Sequence, residues 1–264
     1  MKRFLMCEPR FFEVCYVINP WMEGNMGKVS QELAQQQWQN LHDIVASRAA
    51  VSLIEPVAGL PDMVFTANAG LVRGKEFIVS SFLHAERQPE AKLFEKFFSS
   101  HGYRVSHLQE KTIFEGAGDA LFDSRGRLWL GSGIRSEPLA LEGIIDALHV
   151  EAHALELVDP HWYHLDTAFC PLPEGRLIAY EKAFAEKGVE AINHAFGGSV
   201  IWVSEQDAKN FACNAISINR SIVMHHASDE LKSVLAQHGF EVIEADISEF
   251  IKAGGACKCL TIEI

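Results

Sequence analysis

What most constrains this chain is a period. Five short segments interrupt apolar stretches with polar or small residues: Phe65-Thr66-Ala67-Asn68, Phe114-Glu115-Gly116-Ala117-Gly118-Asp119, His164-Leu165-Asp166-Thr167, Phe211-Ala212-Cys213-Asn214 and Gly254-Gly255-Ala256-Cys257-Lys258-Cys259. With Asn68, Glu115, His164, Cys213 and Cys259 as markers, the steps are 47 (68 to 115), 49 (115 to 164), 49 (164 to 213) and 46 (213 to 259) residues. Such self-similarity is what a circular or stacked array of one supersecondary unit produces, since each unit buries its apolar face against its neighbours. Five units fit the 264 residues.

Between the markers, strand-like runs such as Leu128-Trp129-Leu130, Leu177 to Tyr180, Val200 to Val203 and Ser221 to Met224 recur. Amphipathic helical stretches follow, for example Gln88 to Ser100, with Ala91, Phe94, Phe97 and Phe98 on one face, and Ser228 to His238, with Leu231, Val234 and Leu235. A short β run then returns, as at Tyr103 to Val105, Ala154 to Val158 and Phe240 to Ile243. The unit reads strand, strand, helix, strand. The expected fold is therefore α/β, a five-bladed pseudo-symmetric propeller that gathers residues about 50 positions apart at its centre. The competing architecture is a doubly wound α/β sheet in which the spacing has no meaning.

A thiol, an imidazole and a carboxylate on separate polar punctuations are the parts of covalent catalysis by cysteine: Cys259, His164 and Glu115. Cys257 competes with Cys259, because both would face the same side of an extended strand. Cys213 shares the phase but is expected to pack beside the site. Cys257 and Cys259 with His161 and His164 are also drawable as a zinc site, yet the paired spacings of structural zinc are absent, so no metal is expected. His225-His226 reads as a loop pair.

No Pro/Ser/Gly-rich linker or charge block divides the chain, so residues 1–264 read as one domain. A hydrophobic content of 48 % supports a sizeable core. No apolar run reaches membrane-spanning length, so membrane insertion is not expected. Met1 to Met6 reads as a first strand, lacking the apolar region and cleavage site of a signal peptide. The net charge of −12 disfavours nonspecific nucleic-acid binding and suits a cationic small substrate. Six cysteines without a secretory signal read as reduced thiols, and cytoplasm is the expected compartment. Oligomeric state is left open.

The combination Phe114-Glu115-Gly116-Ala117-Gly118-Asp119, Tyr163-His164-Leu165-Asp166-Thr167 and a terminal Gly-Gly-x-x-x-Cys-Leu-Thr resembles the guanidino-group-modifying superfamily. That superfamily includes arginine deiminases, dimethylarginine dimethylaminohydrolases and arginine amidinotransferases, and its fold is the five-bladed pentein propeller. Ile18 to Asn25, Pro61 to Gly70 and Asn210 to Ala215 resemble most closely the arginine dihydrolases, and the similarity runs over essentially the whole chain.

The resemblance implies a hydrolase acting on the guanidino group of arginine through a thiouronium on Cys259, without a cofactor. His164 would protonate the departing nitrogen and then activate water, while Glu115 and Asp166 would accept hydrogen bonds from guanidinium N–H groups. Asp166, two positions after His164, would share its face on an extended strand. Gly254 and Gly255 would permit close packing at the thiol. Arg87 and Arg135 fall where the family carries carboxylate-binding arginines, a planar fork suiting that group. Asn19 and Asn25 would form a lid or contact the α-amino group.

Deiminases and dimethylaminohydrolases generally place an acid where this chain has Asn68, whereas the dihydrolases resemble it in carrying asparagine. A neutral amide that donates and accepts would retain the ureido group of citrulline for a second round. The alternatives are a deiminase or dimethylaminohydrolase giving citrulline, and, in another class, a non-catalytic arginine sensor or assembly factor.

Overall fold

A computed structural model describes residues 1–109 and 112–264. The chain opens with β1 (Arg3–Cys7), α1 (Gln31–Ala46) and β2 (Ala50–Ile54). Three like units follow: β3 (Gly70–Arg73), β4 (Glu76–Val79), α2 (Gln88–Ser100) and β5 (Arg104–Ser106); then β6 (Ala120–Phe122), β7 (Leu128–Ser132), α3 (Ala140–Leu148) and β8 (Ala152–Glu156); then β9 (Phe169–Leu172), β10 (Arg176–Ala179), α4 (Glu186–Phe196) and β11 (Val200–Trp202). A short α5 (Glu205–Lys209) leads into β12 (Ile216–Ile218), β13 (Ser221–Met224), α6 (Asp229–Gln237) and β14 (Glu241–Glu244), and α7 (Ser248–Ile251) precedes β15 (Ile262–Glu263).

These strands form five three-stranded sheets, each a consecutive triple except one, which has the order β15-β1-β2. In every sheet the first two strands are antiparallel and the next pair, spanned by a helix, is parallel, as in β3-β4-β5. Parallel neighbours need a crossover, which is why each blade carries one helix. The fifth blade is assembled from both ends of the chain: Phe4 pairs with Glu263 and Leu5 with Ile262.

The helices obey the expected periodicity. The Ser30 hydroxyl accepts from Leu33 N–H to start α1, which buries Ala34, Trp38, Leu41 and Val45 on one stripe. Helix α2 buries Phe94 and Phe98, and the Phe98 ring stacks on Phe77 of β4 at 3.7 Å. Fully burying one such phenylalanine contributes about 1.5–3 kcal/mol. Helix α6 is capped by Ser228 and buries Leu231 and Leu235. Among the described residues no helix is long and apolar enough to cross a membrane.

Candidate active site

Just before its first strand, each blade makes a tight turn. Three are single turns of 3-10 helix, Thr66–Ala69, Gly116–Gly118 and Leu165–Thr167, and the other two are irregular turns at 211–214 and 257–260. They are not the extended strands expected around His164-Asp166 and Cys257-Cys259. His164 is the extended residue that enters its turn, and Asp166 sits inside it.

The turns are hydrogen-bonded into a ring. Asn68 Nδ2 donates to the Glu115 carbonyl (3.1 Å), Leu165 N–H to Asp119 Oδ1 (3.0 Å), and Asn214 Nδ2 to the Asp166 carbonyl (3.0 Å). Cys259 N–H then donates to Asn214 Oδ1 (3.1 Å), and Ala67 N–H closes the ring on the Cys259 carbonyl (3.1 Å). The period belongs to this ring: first strands open at Gly70, Ala120, Phe169, Ile216 and Ile262, at intervals of 50, 49, 47 and 46 residues. The markers are not equivalent positions within it. Asn68 lies two residues before its strand, Cys213 and Cys259 three, Glu115 and His164 five, so the chemistry comes from different rungs of a common turn.

The Cys259 thiol is 2 % exposed. Asn214 Nδ2 donates to Sγ at 3.1 Å, and the Asp166 carboxylate oxygens lie 3.5 and 3.6 Å from it. Burial, reinforced by the Asp166 charge, pushes this thiol well above its ordinary range. Burial also lifts Asp166 to about 7, against the pull of Lys258 and the hydrogen bonds from Cys259 and Asn214. Cys257 is fully buried but does not line the cavity that Cys259 lines. Gly255 packs so tightly that a side chain there would run into the Phe65 ring, and Gly254 has φ +81°.

His164 is built into a second polar array. Its Nε2 faces Glu115 Oε2 at 2.7 Å and its Nδ1 faces Asn68 Nδ2 at 3.5 Å, partners that assign the proton to Nε2. Glu115 also accepts from Arg135 Nη1 (2.9 Å) and from Leu83 N–H (3.1 Å). Burial opposes its ionisation, yet Arg135 and His164 outweigh burial and hold the carboxyl far below the usual range. Both Glu115 oxygens are thus engaged, one by the Leu83 amide and the other by Arg135 and the imidazole. Asp119, lifted to about 6 by burial, lies behind them and accepts from Ser136 Oγ at 2.7 Å.

Arg87 and Arg135 come to the same cavity as Cys259 and Asn68. Arg87 donates to Asn68 Oδ1 (2.9 Å) and, through a fork, to both oxygens of Glu90 (3.0 and 2.8 Å). Asn19 lines the cavity too, but its side chain is tied to the Ala253 carbonyl and to Trp21 and Met22 N–H, latching the N-terminal loop over Gly254. Asn25 does not reach the cavity; its amide donates to the Trp21 carbonyl. The space at the site measures only about 10 Å³, about the volume that one water centre needs.

Sequence reasoning missed three groups here. Asn214 ties ring to thiol, yet its neighbour Cys213 was the marker; Cys213 is buried and faces another cavity. Asp119 was quoted only as part of a motif. Asp62 is a buried cavity carboxylate whose Oδ2 accepts from Tyr16 Oη (2.9 Å) while Oδ1 has no partner among the described residues. His161, half of the zinc alternative, is exposed and pairs with Asp159, and the described residues contain no metal-holding group of His, Cys, Asp and Glu.

The chain is similar to known proteins over nearly its whole length. The family model described as N,N dimethylarginine dimethylhydrolase, eukaryotic, matches residues 19–264. The bifunctional arginine dihydrolase/ornithine cyclodeaminase ArgZ of Synechocystis is 49 % identical over 264 residues, covering 99 % of this chain. This chain spans only 37 % of that relative's length. Two solved structures of the ArgZ N-terminal domain superpose over all of this chain at 48 % identity: a cysteine-to-serine variant bound to substrate (TM-score 0.99, 98 % of that chain), and an asparagine-to-serine variant covalently bound to a reaction intermediate (TM-score 0.98, 97 % of that chain).

Proposed function

The chain belongs to the N,N-dimethylarginine dimethylhydrolase family of guanidino-group-modifying enzymes, and from that premise we propose that it is an arginine dihydrolase. It would convert arginine and two waters into ornithine, carbon dioxide and two ammonia. The observation that carries the reading is the Cys259 thiol, set against Asp166 and Asn214, in one cavity with Asn68, Arg87, Arg135 and Asp62. The covalent intermediate captured on the ArgZ domain supports the same chemistry.

The guanidinium lies against Asp166, which accepts its N–H groups and its charge. Arg87, held by Glu90 and Asn68, and Arg135, held by Glu115 and the Ile18 carbonyl, give the α-carboxylate positive charge and not a free fork, and the unpartnered Asp62 oxygen takes the α-ammonium. In the resting site Asp166 keeps the thiol protonated; an arriving cation neutralises that carboxylate and favours the thiolate. The thiolate attacks the central carbon. The tetrahedral adduct expels ammonia and leaves an S-alkylthiouronium; for His164 to protonate the departing nitrogen its Nδ1, which faces Asn68 outside the cavity lining, must take up a proton and turn toward the substrate. His164, oriented by Glu115, then takes a proton from water, whose attack releases the thiolate and citrulline.

Asn68 gives the second round its chance. Its amide is shared between Arg87, the Glu115 carbonyl and His164, so the position adds no charge that would favour a cation over the neutral ureido group. A second thiolate attack expels the second ammonia and leaves a thiocarbamate. Water cleaves it to a carbamate, which decomposes to ornithine and carbon dioxide. The N-terminal loop lines the cavity through Ile18, Asn19 and Met22, and the small space there means that it moves aside to admit each substrate. The reading treats residues 1–264 as a single catalytic unit, supported by the pairing of β15 with β1.

The test is product analysis with arginine and with methylated arginines. Ornithine with twice its amount of ammonia is expected. Citrulline accumulating without ornithine would leave a deiminase, and turnover of methylated arginine alone would leave a dimethylaminohydrolase, the activity for which the matching family model is named.

A further inference from the structure

Behind the ring of turns lies a second cavity, of about 430 Å³, that shares no lining residue with the first. Its walls are the first strands of the blades, which run away from the turns and present Leu71, Phe122, Phe169, Ile216 and Ile262 to it. This is the volume of a small-molecule site.

The lining carries three charged side chains. Lys2 and Glu263 pair with each other at 2.8 Å. Lys258 also lines the cavity; its ammonium reaches only the Thr261 carbonyl, at 3.4 Å, and no carboxylate lies within 4.0 Å of it among the described residues. Nearby on β12 is Ser217, whose buried Oγ has no hydrogen-bond partner among those residues. A half-buried ammonium with one long hydrogen bond and no carboxylate in contact has donors left over, and a bound carboxylate would take them in a charge-assisted hydrogen bond.

We propose that this cavity is a binding site for a small monocarboxylate with an apolar body, its carboxylate on Lys258 and its hydrocarbon against Leu71, Phe122, Phe169 and Ile216. The site is not isolated from the chemistry: Lys258 precedes Cys259, and its charge is the largest influence opposing burial at Asp166. A carboxylate bound to Lys258 reaches the catalytic pair from behind.

The probe is sodium hexanoate, with hexanamide as the uncharged isostere, followed by methyl NMR. Saturable shifts are expected at Ile216 and Ile262, with Ile18, which lines the first cavity, unmoved. Hexanamide should bind about tenfold more weakly, as should hexanoate to Lys258→Met, which is the loss of one charge-assisted contact. Lys258→Arg keeps the charge and should retain binding, which guards against a merely misfolded variant. Shifts at Ile18 alone, equal affinities for hexanoate and hexanamide, or no saturable shift in the millimolar range would overturn the proposal.

Discussion

Replacing Asn214 tests how the ring of turns controls the thiol. The side chain is fully buried and makes three bonds: it accepts from Cys259 N–H and donates to Cys259 Sγ and to the Asp166 carbonyl. In Asn214→Ala the Cys259 amide becomes a buried donor without a partner, costing about 1–3 kcal/mol, and the lost bond to the Asp166 carbonyl adds about 1 kcal/mol. Stability should therefore fall by about 2–4 kcal/mol. The bond to sulfur strengthens when the thiol ionises, and a hydrogen bond to a charged group is worth about 1.5–3 kcal/mol. At about 1.4 kcal/mol per pKa unit, the thiol should titrate about 1–2 units higher and, below its pKa, react about 10- to 100-fold more slowly. Asn214→Asp keeps an acceptor for the Cys259 amide but sets a buried carboxylate oxygen against the Asp166 carbonyl and Sγ, so it should raise the thiol further, at no smaller a loss of stability. The assay is the pH dependence of iodoacetamide alkylation at Cys259, resolved by peptide mass spectrometry because the chain has six cysteines. An unchanged pH midpoint in both folded variants would refute the reasoning.

Three further outcomes are expected. Asn68→Asp restores a carboxylate beside the substrate and should make citrulline the main product; an unchanged ornithine yield would contradict the role given to the amide. Because burial lifts Asp166 to about 7, its carboxylate is protonated below that pH and cannot clamp the cation, so kcat/KM should rise with pH through about 7. In Asp166→Asn that rise should vanish along with roughly a hundredfold of kcat/KM, from the lost charge-assisted bonds, and a rise that persists would assign it elsewhere. Arg87→Met leaves the fully buried Glu90 carboxylate unpaired and should cost about 3–5 kcal/mol in urea denaturation, whereas Arg87→Met with Glu90→Leu should recover most of it. A double variant no more stable than the single would deny the pair that role.

The period made the blades legible because each must repeat an apolar face; α2 spans the same Gln88–Ser100 that its phenylalanine spacing gave. The composite blade was harder to see, since the pairing of Phe4 with Glu263 joins residues with no local pattern in common. The motifs named Cys259 and Asn68, and the family resemblance added Asp166, Arg87 and Arg135; the fold brings all five to one place. It misjudged how they are held. Turns, not strands, carry them, so alternation along a strand could not say which way Asp166 or Cys257 points. Glu115 reads as a free acid in sequence, but the fold spends its oxygens on His164, Arg135 and Leu83. Asn214 and Asp62 were hidden for the opposite reason: a lone amide or carboxylate shows its value only once its partners across the ring are known.

The central claim is that Cys259 attacks the guanidinium carbon. It is tested most directly by mixing the protein with arginine, quenching in acid within the first turnovers and mapping cysteine peptides by mass spectrometry. The account predicts arginine less one ammonia on the peptide carrying Cys259, and neither adduct nor turnover in Cys259→Ser. Turnover at the parent rate in Cys259→Ser, or an adduct on a different cysteine, would contradict it.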